Sequence, residues 1–345
     1  MSALPKAVLY HYPVSIWSAV ARLALEEKGY APEEVDLKVV DIWKGENYDP
    51  TFLRINPKAT VPTLVVPLSN TLSEEVDSRY KALTESTAIV EFLDKSRSFL
   101  SKTHTTSAAP APALTPATVA ATSIGKVIIN DIVHSSEANP GLLRYNNARD
   151  EASLRQLAKE VLHIQQGKQS ALKKYIAEGE SGALQVSEKT KKFWADKLES
   201  VESALLVLEA AEKPQDSLSE SEKQARASFL QTGKEAWETN LPKVLTRLSK
   251  EMIGPYALGD QFSIADLHLA AWFTRLAKIC GATVSDDGKT VVDKIESYIG
   301  IGAFIPKDYS PDVTRRSEKV AKLAVFWDSL KGRGSWQKLY GEGLF

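Results

Sequence analysis

The sequence predicts a small α/β region followed by an all-helical region. In the first 95 residues, short apolar runs with strand periodicity alternate with segments of helical spacing, whereas the chain after residue 123 shows helical spacing. Between these regions, residues 96–123 are rich in Ala, Pro, Thr and Ser, a composition that favours a solvated linker or a draped loop. We therefore predict an α/β domain over 1–95, a linker over 96–123 and a helical domain over 124–345, with an extended helical insertion around 180–250.

Composition and charge exclude several classes of function. The 345 residues carry a formal net charge of −1, which gives no reason to expect a nucleic-acid or anionic-membrane partner. The only cysteine is Cys280, which excludes an intramolecular disulfide and a cysteine-based metal site. No segment approaches about 18 uncharged apolar residues. We expect a soluble cytoplasmic protein that needs no metal.

The amino-terminal pattern reads as β-α-β within about forty residues, which is typical of a parallel pair joined by a right-handed crossover. Strands are predicted at 7–12 and 34–42, with a helix at 16–28 between them that Gly29 ends. A helix at 50–55, strands at 63–66 and 80–83, and a helix at 86–94 follow. Residues 67–79 are long and acidic for a connection between neighbouring strands, so we interpret them as a surface insertion.

The remaining chain predicts six helices, at 124–134, 149–177, 187–211, 220–250, 264–279 and 317–330. The helix at 264–279 begins with a capping box, in which Ser263 is the N-cap and Asp266 lies three residues later. Residues 286–310 contain Gly, Asp and Pro and are predicted to be mostly loop.

Ser15 lies between the first strand and the first helix, where a hydroxyl could contact a bound anion. Exposed amides and the positive end of the helix dipole favour an anion at a helix start, so a thiol bound there loses its proton more easily. The Ser15 hydroxyl could then donate to the thiolate. The alternative is that Ser15 is simply an N-cap, a common role of serine.

Two further stretches have the features of a binding site. Val61-Pro62 marks an abrupt change from loop to strand, which leaves backbone groups free for strand-like hydrogen bonds with a peptide-like ligand. Glu85 and Ser86 begin the helix at 86–94, where helix amides and the Ser86 hydroxyl suit a carboxylate and Glu85 suits an ammonium. The alternatives are an ordinary turn before an edge strand and ordinary helix capping.

Taken in order, these features suit a γ-glutamyl tripeptide thiol, and the chain resembles the glutathione transferase family. The resemblance covers essentially the first 95 residues through these motifs: Leu9-Tyr10-His11, Arg22-Leu23-Ala24-Leu25-Glu26-Glu27-Lys28-Gly29, Lys44-Gly45-Glu46, Phe52-Leu53-Arg54-Ile55-Asn56-Pro57, Thr60-Val61-Pro62-Thr63-Leu64 and Leu83-Thr84-Glu85-Ser86-Thr87-Ala88-Ile89. It implies a thioredoxin-like amino-terminal domain that binds glutathione as co-substrate.

The resemblance also implies roles for individual residues. Serine-type members carry the catalytic hydroxyl seven residues before an arginine of the first helix, which places it at Ser15 when counted back from Arg22. Tyr12 is the main competitor for this role, and Ser18 is a weaker one.

The implied glutathione contacts divide by the part of the tripeptide they hold. Val61 pairs through its main chain with the cysteinyl unit, before a cis Pro62, while Glu85 and Ser86 hold the γ-glutamyl end. The glycyl carboxylate needs a donor or a cation, for which the resemblance offers Lys44, Asn47 and Lys58.

The implied function is a glutathione transferase of detoxification, in which the activated thiol attacks a small hydrophobic electrophile. The alternative is a non-catalytic, glutathione-dependent carrier of apolar ligands on the same fold. Thiol-dependent isomerisation and reductive or ether-cleaving reactions are further enzymatic possibilities. The resemblance also implies a homodimer, although the long insertions bear on that interface and on the electrophile pocket.

Overall fold

The computed structural model describes residues 6–67, 80–98, 107–311 and 319–345. Contacts between Cα atoms divide the chain into two compact units. The first unit comprises 1–37, 62–140 and 237–345, and the second unit comprises 38–61 and 141–236. The domain boundaries at residues 95 and 123 stay predictions, and the insertion predicted at 67–79 lies, apart from Pro67, outside the described residues.

The amino-terminal region contains a four-stranded sheet in the order β2-β1-β3-β4. Its strands are β1 (Ala7–His11), β2 (Val35–Val39), β3 (Thr63–Pro67) and β4 (Tyr80–Leu83). Its helices are α1 (Ile16–Glu27), α2 (Pro50–Ile55) and α3 (Ser86–Ser96). β3 runs antiparallel to both β1 and β4. The predicted order of elements in the α/β region is confirmed.

The helical character of the rest of the chain is also confirmed. Its α-helices are α4 (Val119–Lys126), α5 (Pro140–Tyr145), α6 (Glu151–Glu180), α7 (Glu188–Leu208), α8 (Glu220–Lys234), α9 (Leu241–Glu251), α10 (Ile264–Ile279), α11 (Gly288–Ile299), α12 (Lys322–Lys331) and α13 (Gly334–Tyr340). Within the described ranges, no helix has the length and apolar composition needed to cross a membrane.

The core of the first unit forms around α10. Almost every residue of α10 is buried, and the helix packs against α1, whose own apolar residues are also buried. The predicted capping box at its start is present, because the Ser263 amide donates to Asp266 Oδ2 at 2.8 Å. Asp266 Oδ1 accepts a further hydrogen bond from the Ala257 amide at 2.6 Å, which ties the preceding loop to the helix.

The prediction that residues 286–310 are mostly loop is wrong, because α11 occupies the first half of this range. Asp287 is its N-cap and accepts from the Thr290 amide at 2.7 Å. Gly300 ends the helix with φ +83°, a left-handed conformation that glycine adopts without a Cβ penalty. The residues that indicated a loop are therefore the caps of a helix.

The single helix predicted at 220–250 is also wrong in its continuity. A π-helical segment, Glu235–Asn240, separates α8 from α9. Pro242 lies in the first turn of α9, where its missing amide hydrogen costs no helical bond. The boundary between the two units, at residues 236 and 237, falls in this segment.

The linker predicted at 96–123 is described at 96–98 and 107–123, and buried charged groups hold its segment 107–118. Lys28 Nζ forms an ion pair with Asp94 at 2.8 Å and donates to the Pro112 carbonyl at 2.6 Å. Asp94 also accepts from the Leu114 amide at 3.0 Å and from the Thr115 hydroxyl at 2.6 Å. Leu114 is consequently only 2% exposed. The following helix begins at Val119, five residues earlier than predicted.

Candidate functional site

The first unit brings four of the predicted site residues to one end of the sheet. Because β3 runs antiparallel to both neighbours, β1 ends, β3 begins and β4 ends at the same edge. Ser15 follows β1, Pro62 immediately precedes β3, and Glu85 and Ser86 follow β4. The fold therefore places the hydroxyl, the proline and the acid-hydroxyl pair at a common end.

Ser15 is the N-cap of α1, as one of the two sequence interpretations expected. Its Oγ accepts from the Ser18 amide at 3.3 Å, and its own amide donates to the Tyr12 carbonyl at 3.0 Å. The cap uses a lone pair of the hydroxyl oxygen and leaves the O–H able to donate. The capping role and a hydrogen bond to a bound thiolate are therefore compatible.

The two competitors for Ser15 have different surroundings. Ser18 is 0% exposed, and its Oγ accepts from the Tyr12 amide at 3.2 Å. Its hydroxyl thus holds the loop between β1 and α1 from inside. Tyr12 is half-buried in that loop.

Two arginines outside the predicted site hold the same loop. Arg22 Nη1 donates to the Pro13 carbonyl at 3.2 Å, and Arg275 Nη2 from α10 donates to the Val14 carbonyl at 2.5 Å. Both carbonyls immediately precede Ser15 in the chain. The position of the candidate hydroxyl therefore depends on a helix that follows it by about 250 residues in sequence.

A stacked aromatic cluster beside Ser15 was not predicted. The Trp17 ring stacks on His134 with ring centroids 4.1 Å apart, and His134 Nε2 lies 2.9 Å from His268 Nδ1. Burial lowers the pKa of both histidines, while the Glu85 carboxylate raises that of His134 and opposes the effect. The Glu85 carboxylate therefore interacts electrostatically with His134. No local sequence signal joins residues so far apart in the chain.

Glu85 and Ser86 mark the start of α3. Glu85 is the N-cap residue, with an extended backbone, and its side chain does not cap the helix. Ser86 is buried in the first turn. Amides at this end of α3 suit a carboxylate, because the first amides of a helix have no partner within it.

In the second unit, the predicted ligand Asn47 has a structural hydrogen bond. Asn47 is 7% exposed, and its Nδ2 donates to the Ala59 carbonyl at 2.9 Å. Ala59 has φ +55°, an uncommon value for a residue with a Cβ, so its turn needs support. Asn56 also supports this turn, since its Nδ2 donates to the Thr60 carbonyl at 2.9 Å.

The other predicted residues of the second unit differ in their exposure to solvent. The Lys44 side chain is 78% exposed and lies 3.3 Å from Asp41 Oδ2. Lys58 is exposed, and its amide donates to Asn56 Oδ1 at 3.0 Å. Val61 is buried.

The cis geometry expected at Pro62 is not present. Among the described residues, the cis peptide bond lies at Gly254–Pro255 and not at Val61–Pro62. Within the described ranges, no three or more His, Cys, Asp or Glu residues lie together in a group that could hold a metal ion.

The sheet order, the helix after β1 and the proline before β3 define a thioredoxin-like domain followed by a helical region. Residues 9–99 match the family model described as glutathione S-transferase, N-terminal domain. This part of the chain is therefore similar to the amino-terminal domain of glutathione S-transferases.

Individual relatives match parts of the chain. A tetrachloro-p-hydroquinone reductive dehalogenase from Sphingobium chlorophenolicum is 48% identical over 64 residues, covering 18% of this chain and 25% of that protein. The glutathione S-transferase TCHQD from Arabidopsis thaliana is 33% identical over 108 residues, covering 28% of this chain and 40% of that protein. The chain thus spans less than half the length of either relative.

Solved structures align over more of the chain at lower identity. Glutathione transferase Omega 3C from Trametes versicolor aligns over 99% of this chain and 88% of its own, with 17% identity and a TM-score of 0.46.

Proposed function

We propose that the protein is a glutathione transferase in which Ser15 stabilises the thiolate of bound glutathione. The observation that carries this proposal is the position of the Ser15 hydroxyl, at the amino terminus of α1, with its oxygen capping the helix and its O–H able to donate. Helix amides and a hydroxyl donor both favour the ionised thiol over the neutral one. The thiol pKa then falls toward neutrality.

The proposed reaction needs no cofactor beyond the co-substrate. The thiol proton passes to solvent, and a sulfur lone pair forms a C–S bond with an electrophilic carbon of a small hydrophobic substrate. A leaving group departs with its electron pair, or, in an addition, the resulting carbanion takes a proton from water. Ser15 acts on the nucleophile, and apolar side chains hold the electrophile.

The residues at the sheet end have matching roles in this proposal. Glu85 pairs with the γ-glutamyl ammonium, and the α3 amides with Ser86 bind the adjacent carboxylate. The Val61 main chain pairs with the cysteinyl unit ahead of Pro62. Lys44 and Lys58 stay candidates for the glycyl carboxylate, while the Asn47 amide group already donates to Ala59.

The names of the relatives widen the range of reactions to test. One is a reductive dehalogenase, and another, 38% identical over 97 residues, is a maleylacetoacetate isomerase from Aspergillus fumigatus. The substrate panel should therefore include aryl halides, a chlorinated hydroquinone and a cis-enone acid. A cytoplasmic location, a homodimer and a role in detoxification are part of the same proposal and rest on the family resemblance.

The test compares Ser15→Ala with Tyr12→Phe. Loss of a charge-assisted hydrogen bond should reduce the turnover of Ser15→Ala by at least about tenfold with little change in glutathione affinity. Ultraviolet titration of the bound thiolate should show a raised thiol pKa in Ser15→Ala and an unchanged one in Tyr12→Phe. Unchanged turnover in Ser15→Ala would show that Ser15 does not activate the thiol. A loss of turnover in Tyr12→Phe alone would assign that role to Tyr12. Glutathione binding without conversion of any panel member would instead support the carrier function.

A further inference from the structure

The second unit contains two cations that share an aromatic residue. Arg144, in the last turn of α5, has its Cζ 5.5 Å from the centre of the Trp43 ring and 5.6 Å from that of Tyr145. Lys168, in the middle of α6, has its Nζ 4.9 Å from the centre of the Tyr145 ring. Both cations therefore lie over faces of aromatic rings, an arrangement that stabilises positive charge and fixes the direction of the side chains.

Within the part of the chain that the structure describes, neither of these two half-buried cations has an acidic partner. Among the described residues, no carboxylate forms an ion pair with Arg144 or Lys168, whereas Lys173, on the same helix as Lys168, pairs with Glu202 at 3.0 Å. Burial and the charge of Arg144 together lower the pKa of Lys168 to about 8. The fold thus holds two like charges close together at a half-buried position without a compensating negative charge.

The close packing of α6 shows that this arrangement is built into the backbone. A Cβ added to Gly167 would lie 2.7 Å from the Trp43 carbonyl oxygen, and one added to Gly45 would lie 2.7 Å from the Ala171 Cβ. Small residues at these positions let α6 contact the loop that contains Trp43. Lys168 follows Gly167 and is therefore fixed beside that loop.

We infer that Arg144 and Lys168 form a binding site for an oxyanion, the carboxylate or phosphate group of a small ligand, with Trp43 and Tyr145 as its aromatic walls. An oxyanion between the two cations would neutralise their mutual repulsion, and the planar guanidinium of Arg144 suits two-point binding of such a group. The two cations lie on α5 and α6, and none of the motifs that carry the family resemblance contains either of them.

The oxyanion has two possible sources, which share the same chemistry. It could be the glycyl carboxylate of glutathione, for which the exposed Lys44 already has Asp41 as a partner. It could also be the acidic group of a separate ligand. Competition with glutathione distinguishes the two.

The experiment measures binding of succinate and of inorganic phosphate to the full-length protein by calorimetry at low ionic strength. Arg144→Gln and Lys168→Gln each remove one cation while keeping much of the side-chain length. Lys173→Gln and Arg155→Gln, two exposed positions on α6, are matched controls for the loss of one positive charge. Thermal unfolding of each variant establishes that it is folded at the temperature of the titration.

We expect succinate or phosphate to bind, and each site variant to weaken that binding by about tenfold or more, as loss of a charge-assisted contact predicts, with both controls unchanged. If glutathione displaces the probe and its own affinity falls in the same variants, the glycyl carboxylate is the source. If glutathione does not compete, a separate acidic ligand is the source, and the site stands without the proposed transferase function. Absence of binding by both probes, or equal weakening in the controls, overturns the inference.

Discussion

The two units use the polar residues of the family motifs in different ways. In the first unit, Ser15, Glu85 and Ser86 lie at helix starts, and buried groups elsewhere, such as the Lys28–Asp94 ion pair, hold the structure together. In the second unit, Asn47 supports a turn of its own backbone. In the first unit the buried ion pair is thus separate from the residues proposed to bind glutathione, whereas in the second unit the predicted ligand Asn47 itself makes a structural hydrogen bond.

This difference bears on how far a motif match can be carried over. A residue at a helix start keeps the helix amides beside it even when the surrounding chain changes, because that geometry is local. A side chain on an irregular loop has no such constraint, so packing can redirect it. The inserted helices contact the 38–61 segment, since the Trp194 indole nitrogen donates to the Tyr48 carbonyl at 3.0 Å. Part of the predicted insertion therefore packs against a segment in which the resemblance places glutathione contacts.

The largest loss of stability should come from a substitution in the buried ion pair of the first unit. Asp94→Asn leaves the fully buried Lys28 ammonium without a countercharge, and it should lower the free energy of unfolding by about 3–5 kcal/mol. Glutathione affinity should not change below the melting temperature, because neither residue belongs to the candidate site. Chemical denaturation and glutathione titration of the same protein measure the two quantities. A loss of affinity without a loss of stability would break the separation of tasks.

The Asp94→Asn prediction has a matched control variant and an expected dependence on pH. Glu91→Gln removes an exposed pair with Lys95 on the same helix and should change stability by no more than about 0.5 kcal/mol. Burial raises the pKa of Asp94, but hydrogen bonds from Lys28, Thr115 and the Leu114 amide outweigh burial and leave it below its usual value of 3.8. The contribution of Asp94 is therefore present above pH 3.8 and is lost as pH falls through the lower folded-state pKa. The stability difference between wild type and Asp94→Asn should shrink in that acidic range.

A smaller effect is expected for Asn47 in the second unit. Asn47→Ala leaves the Ala59 carbonyl without its side-chain donor and should lower the free energy of unfolding by about 1–3 kcal/mol. Lys44→Ala, in the same loop and largely exposed, is the control and should change it by less than about 0.5 kcal/mol. Denaturant unfolding measures both variants. If Asn47→Ala keeps its stability but binds glutathione more weakly, Asn47 is a ligand after all and the two units do not differ.

Local patterns explain what the sequence predicted well. The capping box of α10 is contained within four residues, and both Ser263 and Asp266 take the expected positions. The strand-helix alternation near the amino terminus is equally local, and it predicted the helix at Pro50–Ile55 to the residue. α11 was missed for the same reason, because Gly and Asp that indicate a loop also begin and end helices.

Contacts between distant residues explain what the sequence could not predict. His134 and His268 share a hydrogen bond across 134 positions, and neither lies in a pattern that indicates the other. Arg144 and Lys168 come from different helices, and their lack of acidic partners becomes visible only after the chain has folded. Pairing across the fold is a property of packing, which no window of sequence contains.

The smallest loss of stability is expected for Ser18→Ala, a variant that distinguishes the role of Ser18 from that of Ser15. Ser18→Ala removes the acceptor of the Tyr12 amide and should lower the free energy of unfolding by about 0.5–1.5 kcal/mol. Because Ser18 is fully buried, its hydroxyl is positioned to hold the loop and not to contact a bound thiol. Turnover should therefore fall less in Ser18→Ala than in Ser15→Ala, and the thiol pKa of bound glutathione should stay that of the wild type. A raised thiol pKa in Ser18→Ala alone would transfer activation of the thiol from Ser15 to Ser18.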